Sequence, residues 1–165
     1  MELNVLTGDY VAPDTSDKTE SDEILEQFSK YPFSLDHFQR HAVERIHREQ
    51  HVLICVPTGS GKTLVATEGI FKALNDGKKV IYTSPIKTLS NQKFAEFRAK
   101  FPTTSVGIVT GDIKLNPDAQ ILIMTTEILR NLLYRSRSED GTVLPDKHLG
   151  TDLDIEKEIG VVIYD

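Results

Sequence analysis

The sequence has little that would place this protein outside the cell or in a membrane. Its 165 residues include one cysteine, Cys55, which excludes an intramolecular disulfide and a multi-cysteine metal site. No apolar run approaches the ~20 residues of a transmembrane helix, and the longest are segments such as residues 52–56. Residues 1–10 lack the basic patch and apolar stretch of a secretory signal. We therefore expect a soluble, intracellular protein that does not bind a membrane.

The net charge of −6 is distributed unevenly along the chain. Residues 1–30 and 138–165 each carry eight acidic and two basic residues, whereas residues 31–137 carry nine acidic and fifteen basic residues. The central segment can therefore present a basic face to a polyanion, although acidic ends on an ordinary solvated surface are the alternative. We predict an acidic arm without stable structure over residues 1–30 and a single domain over residues 31–165. Within that domain, residues 136–158 are predicted to form a polar surface insertion.

Short apolar runs alternate with segments of helical periodicity through the central part of the chain. The predicted strands are residues 52–56, 80–84, 106–110, 121–124 and 161–164. The predicted helices are residues 36–48, 62–75, 89–100 and 126–134. Most of the strands are continuously apolar, as expected for strands covered on both faces. This alternation predicts an α/β domain with a mostly parallel sheet flanked by helices.

A glycine-rich loop joins the first predicted strand to the second predicted helix. Its residues are Val56, Pro57, Thr58, Gly59, Ser60, Gly61, Lys62 and Thr63. Glycines allow backbone N–H groups to close around phosphate oxygens, and the following helix adds the positive end of its dipole. Lys62 can reach the β- and γ-phosphates, and the Thr63 hydroxyl can bind Mg²⁺. Val56 replaces the first glycine of the strict phosphate-loop pattern, but the rest predicts nucleoside triphosphate binding.

Four further segments surround this loop in a fixed order. They are Tyr31–Gln39, Tyr82–Lys93, Val106–Asp112 and Thr125–Asn131. Together with the loop, they resemble the first RecA-like P-loop domain of superfamily 2 helicases. The resemblance is greatest to the DExH-box RNA helicases of the superkiller type, which serve the RNA exosome. It covers about residues 31–135 and the last predicted strand, and it implies an ATP-dependent RNA helicase.

The resemblance also implies roles for individual residues. Gln39 would read adenine through its amide, which donates and accepts side by side, and Phe33 would stack on the ring; an exposed helix residue is the alternative for Gln39. Nucleic-acid contacts would come from Ser84, Pro85, Lys87, Asn91, Thr110, Gly111, Thr125, Thr126 and Arg130. Thr125 or Thr126 begins a predicted helix, so a simple helix cap is a second, compatible interpretation. Contacts of this kind would be to the backbone of the nucleic acid and sensitive to salt.

The last six residues, Gly160–Asp165, resemble the strand that carries the Walker B acid. Asp165 would then hold Mg²⁺ and act with Lys62 in ATP hydrolysis. In the family a glutamate general base follows, a later strand inserts beside the phosphate-loop strand, and a second RecA-like domain supplies an arginine finger. We therefore expect an N-terminal fragment of a longer helicase, inactive alone. Its partners would be that second domain, single-stranded or partly duplex RNA (DNA is possible), and an RNA-decay complex.

Other candidate residues have simpler explanations. The pairs His37–His41 and His47–His51 have a spacing that can bind zinc, but a solvated helix face is the preferred interpretation. Cys55 is expected in the core, and the acidic run at residues 152–158 is expected to be solvated. Two other functions stay open, a DNA helicase and a non-catalytic nucleotide-binding module. A small-molecule kinase is a further alternative, but the Gln39 segment and the segment Ser84–Lys93 argue against it.

Overall fold

The computed structural model describes residues 3–7, 28, 31–134 and 153–165. The chain divides into two compact units, Met1–Lys72 and Ala73–Asp165. No helix in the described ranges is long and apolar enough to cross a membrane. The same ranges contain no group of three or more His, Cys, Asp or Glu side chains arranged to hold a metal ion.

The first unit contains a two-stranded parallel sheet and the helices around the phosphate loop. Its elements are β1 (Leu3–Thr7), α1 (His37–His47), β2 (His51–Cys55) and the start of α2 (Lys62–Asn75). β1 pairs with β2 over their full lengths. The apolar residues of α1 recur every four positions and pack with one face of β2 and with α2. This core comprises Ala42, Val65, Phe38, Ile46, Val52 and Ile54.

Two expectations about the first unit were wrong. Cys55 is exposed and does not lie in the core. Exposure alternates along β2, so Val52 and Ile54 face the helices while Leu53 and Cys55 lie on the other face. The expected arm also contains a strand, β1, since β2 offers its backbone as a parallel partner. Apart from β1 and Phe28, residues 1–30 lie outside the described residues.

The second unit is a five-stranded sheet with helices on both faces. Its elements are β3 (Lys79–Ser84), α3 (Lys87–Lys100), β4 (Val106–Val109), β5 (Lys114–Leu115), β6 (Ile121–Thr125), α4 (Thr126–Leu133), α5 (Ile155–Glu158) and β7 (Ile159–Tyr164). The strand order is β5-β4-β6-β3-β7, and only β5 is antiparallel to its neighbour. Consecutive residues of β3 point to opposite faces: Ile81 packs in the cluster that includes α4, and Tyr82 packs edge-on against Phe97 of α3.

The predicted fold class is confirmed, and the predicted strands and helices agree with the observed ones to within about two residues at each end. The small elements β5 and α5 were not predicted. The polar surface insertion predicted for residues 136–158 is not a surface loop at its C-terminal end, because Leu153 is buried and α5 follows directly. Leu153 packs in the same cluster as Ile81, with Ile155 against it. Residues 136–152 lie outside the described residues.

Candidate functional site

The phosphate loop has the backbone shape that its glycines predict. It leaves β2 after Cys55 and enters α2 at Lys62. Gly59 and Gly61 have φ angles of 84° and 85°, in the left-handed region that side chains disfavour. Ser60 closes the turn, since its hydroxyl donates to the Pro57 carbonyl at 2.7 Å. Thr58 and Thr63 are exposed on either side of this turn.

The Lys62 side chain forms hydrogen bonds with the first residues of the phosphate loop. Its ammonium donates to the carbonyl oxygens of Val56 at 3.0 Å and of Pro57 at 2.9 Å. These bonds hold a positive charge at the N-terminus of α2, where backbone N–H groups and the helix dipole also favour an anion. The arrangement suits the predicted role of Lys62 toward phosphate oxygens.

Gln39 links the segment before α1 to the phosphate loop. It is only 6% exposed, so the alternative of an exposed helix residue is wrong. Its Oε1 accepts from the Asp36 N–H at 2.9 Å, and its Nε2 donates to the Gly61 carbonyl at 3.2 Å. The amide therefore ties the start of α1 to the loop, and its contact with adenine stays a prediction. Phe33 is 56% exposed, which leaves its ring open to stacking.

A tyrosine–carboxylate pair beside this segment was missed from the sequence. The Tyr31 hydroxyl donates to Oε1 of the buried Glu68. Burial raises the pKa of Tyr31, and the hydrogen bond and charge of Glu68 raise this pKa further. The bond joins residues 37 positions apart in the sequence, so local periodicity carries no signal for it.

The predicted nucleic-acid residues of the second unit lie along one edge of its sheet. Ser84 and Thr125 are register partners at the ends of β3 and β6, and Thr110 directly follows β4. Because these strands are parallel, their carboxyl ends meet at the same edge. All three residues are buried, so they support this edge and do not form its exposed surface. The exposed predicted residues next to these strand ends are Pro85, Lys87, Gly111 and Thr126, and the exposed Asn91 and Arg130 lie about one turn further along α3 and α4.

Lys87 joins two of the predicted contact segments. Its ammonium lies 2.5 Å from Oδ2 of Asp112, and both side chains are more than half exposed. Asp112 is held by a turn in which the Thr110 hydroxyl accepts from the backbone N–H groups of Asp112 at 3.4 Å and Ile113 at 3.1 Å. The pair places a lysine charge at the sheet edge, beside Gly111.

The start of α4 differs from the expected helix cap. Thr125 occupies the N-cap position, but its side chain makes no capping hydrogen bond. The Thr126 hydroxyl instead lies 3.0 Å from the Thr83 hydroxyl of the adjacent strand β3. The predicted cap position is therefore confirmed for Thr125, but the side-chain capping bond is absent. Arg130 donates to the Asn131 side chain at 3.3 Å and stays exposed.

Asp165 reaches the same sheet edge through β7. Its backbone N–H donates to the Thr83 carbonyl at 3.0 Å, which continues the β3–β7 pairing. Its Oδ2 accepts a hydrogen bond from the Tyr82 hydroxyl. Burial raises the pKa of Tyr82, and its bond to Asp165 raises this pKa further. Asp165 and Thr63 supply a carboxylate and a hydroxyl, the oxygen ligands that Mg²⁺ prefers; they belong to different units.

The remaining candidates have local structural roles. Nε2 of His37 and Nε2 of His41 lie 3.1 Å apart on α1. Burial and the charge of His37 lower the pKa of His41. Two members of the acidic run, Asp154 and Glu158, make local structural contacts. Asp154 caps α5 by accepting from two backbone N–H groups, and Glu158 bonds to the Lys79 ammonium at 2.7 Å.

These features define a class of protein in which one unit carries a phosphate loop between a strand and a helix, and the other is an α/β sheet with a polar edge at the carboxyl ends of its strands. Comparison with known families narrows this class. Residues 36–163 match the model of the DEAD/DEAH box helicase family, and the chain belongs to that family. The expected resemblance to superfamily 2 helicases is therefore confirmed.

Similar proteins are named as helicases. The chain is 52% identical over 136 residues to the ATP-dependent RNA helicase mtr4 of Schizosaccharomyces pombe, which covers 80% of this chain and 12% of that protein. It is 43% identical over 138 residues to the antiviral helicase SKI2 of Saccharomyces cerevisiae, covering 81% of this chain and 11% of SKI2. It is 51% identical over 114 residues to the chloroplastic DExH-box ATP-dependent RNA helicase DExH15 of Arabidopsis thaliana, covering 69% and 10%. The chain thus spans about a tenth of the length of these relatives.

Proposed function

We propose that this protein is an ATP-dependent RNA helicase that couples ATP hydrolysis to movement along RNA or to its unwinding. The observation that carries the proposal is the phosphate loop. Two left-handed glycines and a lysine held at a helix N-terminus form it, within a chain of the DEAD/DEAH box family. Similar chains are named as RNA helicases, which supports RNA rather than DNA as the nucleic acid.

The first unit supports the proposed ATP binding. The triphosphate would lie against the N-terminus of α2, where Lys62 neutralises the charge of its terminal oxygens. Phe33 would stack on the base, and the polar edge of adenine would face Gln39. Mg²⁺ would neutralise charge on the β- and γ-phosphate oxygens when it is bound. The resemblance to the family makes Thr63 of the first unit one proposed magnesium ligand and Asp165 of the second unit another.

The sheet edge of the second unit supports the proposed RNA binding. Lys87 and Arg130 would contact phosphates, while the buried Ser84, Thr110 and Thr125 support the loops that carry exposed residues. Contacts of this type read the backbone and are independent of sequence. In the whole protein we further propose a second RecA-like domain, an intracellular location and association with an RNA-decay complex.

The direct test is ATP hydrolysis by the full-length protein with single-stranded RNA, with single-stranded DNA and without nucleic acid. RNA should stimulate hydrolysis, and Lys62→Ala should abolish it. Lys72→Ala is the matched control: it removes a lysine from the same helix, where the ammonium lies 3.5 Å from the exposed Glu49. The control should retain hydrolysis, because Lys72 lies ten residues beyond Lys62 on the same helix, about 15 Å from the phosphate loop.

Each other outcome identifies a different function. Equal or greater stimulation by DNA would indicate a DNA helicase. Nucleotide binding without hydrolysis would indicate a non-catalytic module. Hydrolysis that neither nucleic acid changes would refute both helicase functions, and transfer of phosphate to a small molecule would indicate a kinase.

A further inference from the structure

Tyr82 is a buried residue with its polar end directed at the candidate Walker B carboxylate. Its side chain is 3% exposed, and its ring packs edge-on against Phe97 with 5.0 Å between the ring centroids. The hydroxyl donates to Oδ2 of Asp165. Packing fixes the ring, so the hydroxyl has a defined position at the sheet edge.

The sheet register explains why these two residues meet. Tyr82 of β3 pairs with Ile163 of β7, and Asp165 lies two residues beyond Ile163. Residues two apart on a strand share a face, so Tyr82 and Asp165 are diagonal neighbours on the same face of the sheet. An aromatic side chain is long enough to span such a diagonal, and a shorter polar residue at position 82 would fall short.

We propose that Tyr82 is a positioning residue for the Asp165 carboxylate, holding one carboxylate oxygen through its hydroxyl so that the other oxygen can bind Mg²⁺. The inference rests on the proposed function, in which Asp165 is a magnesium ligand. Hydrogen bonds to metal-binding carboxylates fix their orientation, and removal of such a partner typically weakens metal binding about ten- to a hundredfold.

The variant Tyr82→Phe distinguishes a positioning role for the Tyr82 hydroxyl from a purely structural role for the Tyr82 ring. Tyr82→Phe retains the ring and its contact with Phe97 and removes only the hydroxyl. If Tyr82 serves the core alone, this variant should bind metal normally. Tyr134→Phe is the matched control, because Tyr134 is 82% exposed.

The experiment measures Mn²⁺ binding to the full-length protein with a non-hydrolysable ATP analogue, by electron paramagnetic resonance. Tyr82→Phe should weaken Mn²⁺ binding about ten- to a hundredfold, with affinity for the analogue in EDTA unchanged. The near-ultraviolet circular dichroism of the variant checks separately that the second unit, in which Tyr82 lies, is folded. Tyr134→Phe should bind Mn²⁺ like the wild type. In an Asp165→Asn background, Tyr82→Phe should cause no further loss, since the carboxylate that it positions is gone.

Two results would overturn the proposal. If Mn²⁺ affinity in Tyr82→Phe stays within about twofold of wild type while the wild type binds the Mn²⁺–analogue complex, the positioning role is wrong and the proposed function stands. If the wild type itself binds no metal–nucleotide complex, the proposed function fails, and the role of Tyr82 fails with it. The behaviour of the wild type therefore separates the two failures.

Discussion

The phosphate loop offers a sharp test in the contrast between its two left-handed glycines. Gly59 and Gly61 have nearly equal φ angles, but their surroundings differ. A Cβ on Gly59 would meet nothing within 4 Å, whereas a Cβ on Gly61 would lie 2.5 Å from Nε2 of Gln39. Gly61→Ala should therefore displace Gln39, and Gly59→Ala should not.

The expected difference follows from the bonds that Gln39 makes. The left-handed backbone costs an alanine about 1–2 kcal/mol at either position. The lower entropy of the unfolded chain returns about 0.4–1 kcal/mol in both variants. Gly61→Ala alone also disrupts the bonds of Gln39 to the Gly61 carbonyl and to the Asp36 N–H, each worth about 1 kcal/mol. Gly61→Ala should thus be less stable than Gly59→Ala by about 1–2 kcal/mol.

Native-state hydrogen exchange is the appropriate assay, because it reports local opening in a protein of two units. The Asp36 amide, which donates to Gln39, should exchange about 5–30 times faster in Gly61→Ala than in Gly59→Ala. In a Gln39→Ala background the two glycine variants should behave alike. Equal exchange in the two single variants would refute the proposed link between Gln39 and the loop.

Three further predictions concern the second unit. Leu153→Ala should lower the free energy of unfolding in urea by about 2–5 kcal/mol, because Leu153 is 3% exposed; Leu133→Ala, at 55% exposure, should change it by less than about 0.5 kcal/mol, and equal effects would contradict the burial of Leu153. The ammonium and the backbone N–H that bond to Glu158 lower its pKa below the ordinary 4.5. Its contribution to stability is thus present above about pH 4.5 and is lost as the pH falls through the lowered value, so the difference in melting temperature between wild type and Glu158→Gln should shrink between about pH 5 and pH 3. Asp112→Asn should strengthen binding of single-stranded RNA at low salt by about 1.5–5-fold in filter-binding assays, since it releases Lys87 from an exposed ion pair; unchanged or weaker binding would argue against a phosphate contact by Lys87.

Much of the fold could be predicted because its signals are local. The apolar stripe of α1 spans a few helical turns, and the apolar runs of β3 and β6 each span a few residues. Periodicity in the sequence therefore locates all three directly. The phosphate loop is also local, since its glycines, lysine and threonine are contiguous in the chain. For Cys55 the same approach was wrong, because an apolar run does not show which face of a strand is covered.

The sequence by itself determined the α/β class, the phosphate loop and membership of a helicase family, because all three depend on short local segments and their order along the chain. Only the tertiary structure decided which distant side chains meet. Gln39 reaches Gly61 across 22 positions, Lys87 reaches Asp112 across 25, and Tyr82 reaches Asp165 across 83. The physical reason differs between the units. Strand order and register determine which residues meet at the edge of the five-stranded sheet, and the packing of α1 determines which residues meet beside the phosphate loop. The residue spacing within any one segment predicts neither of these arrangements.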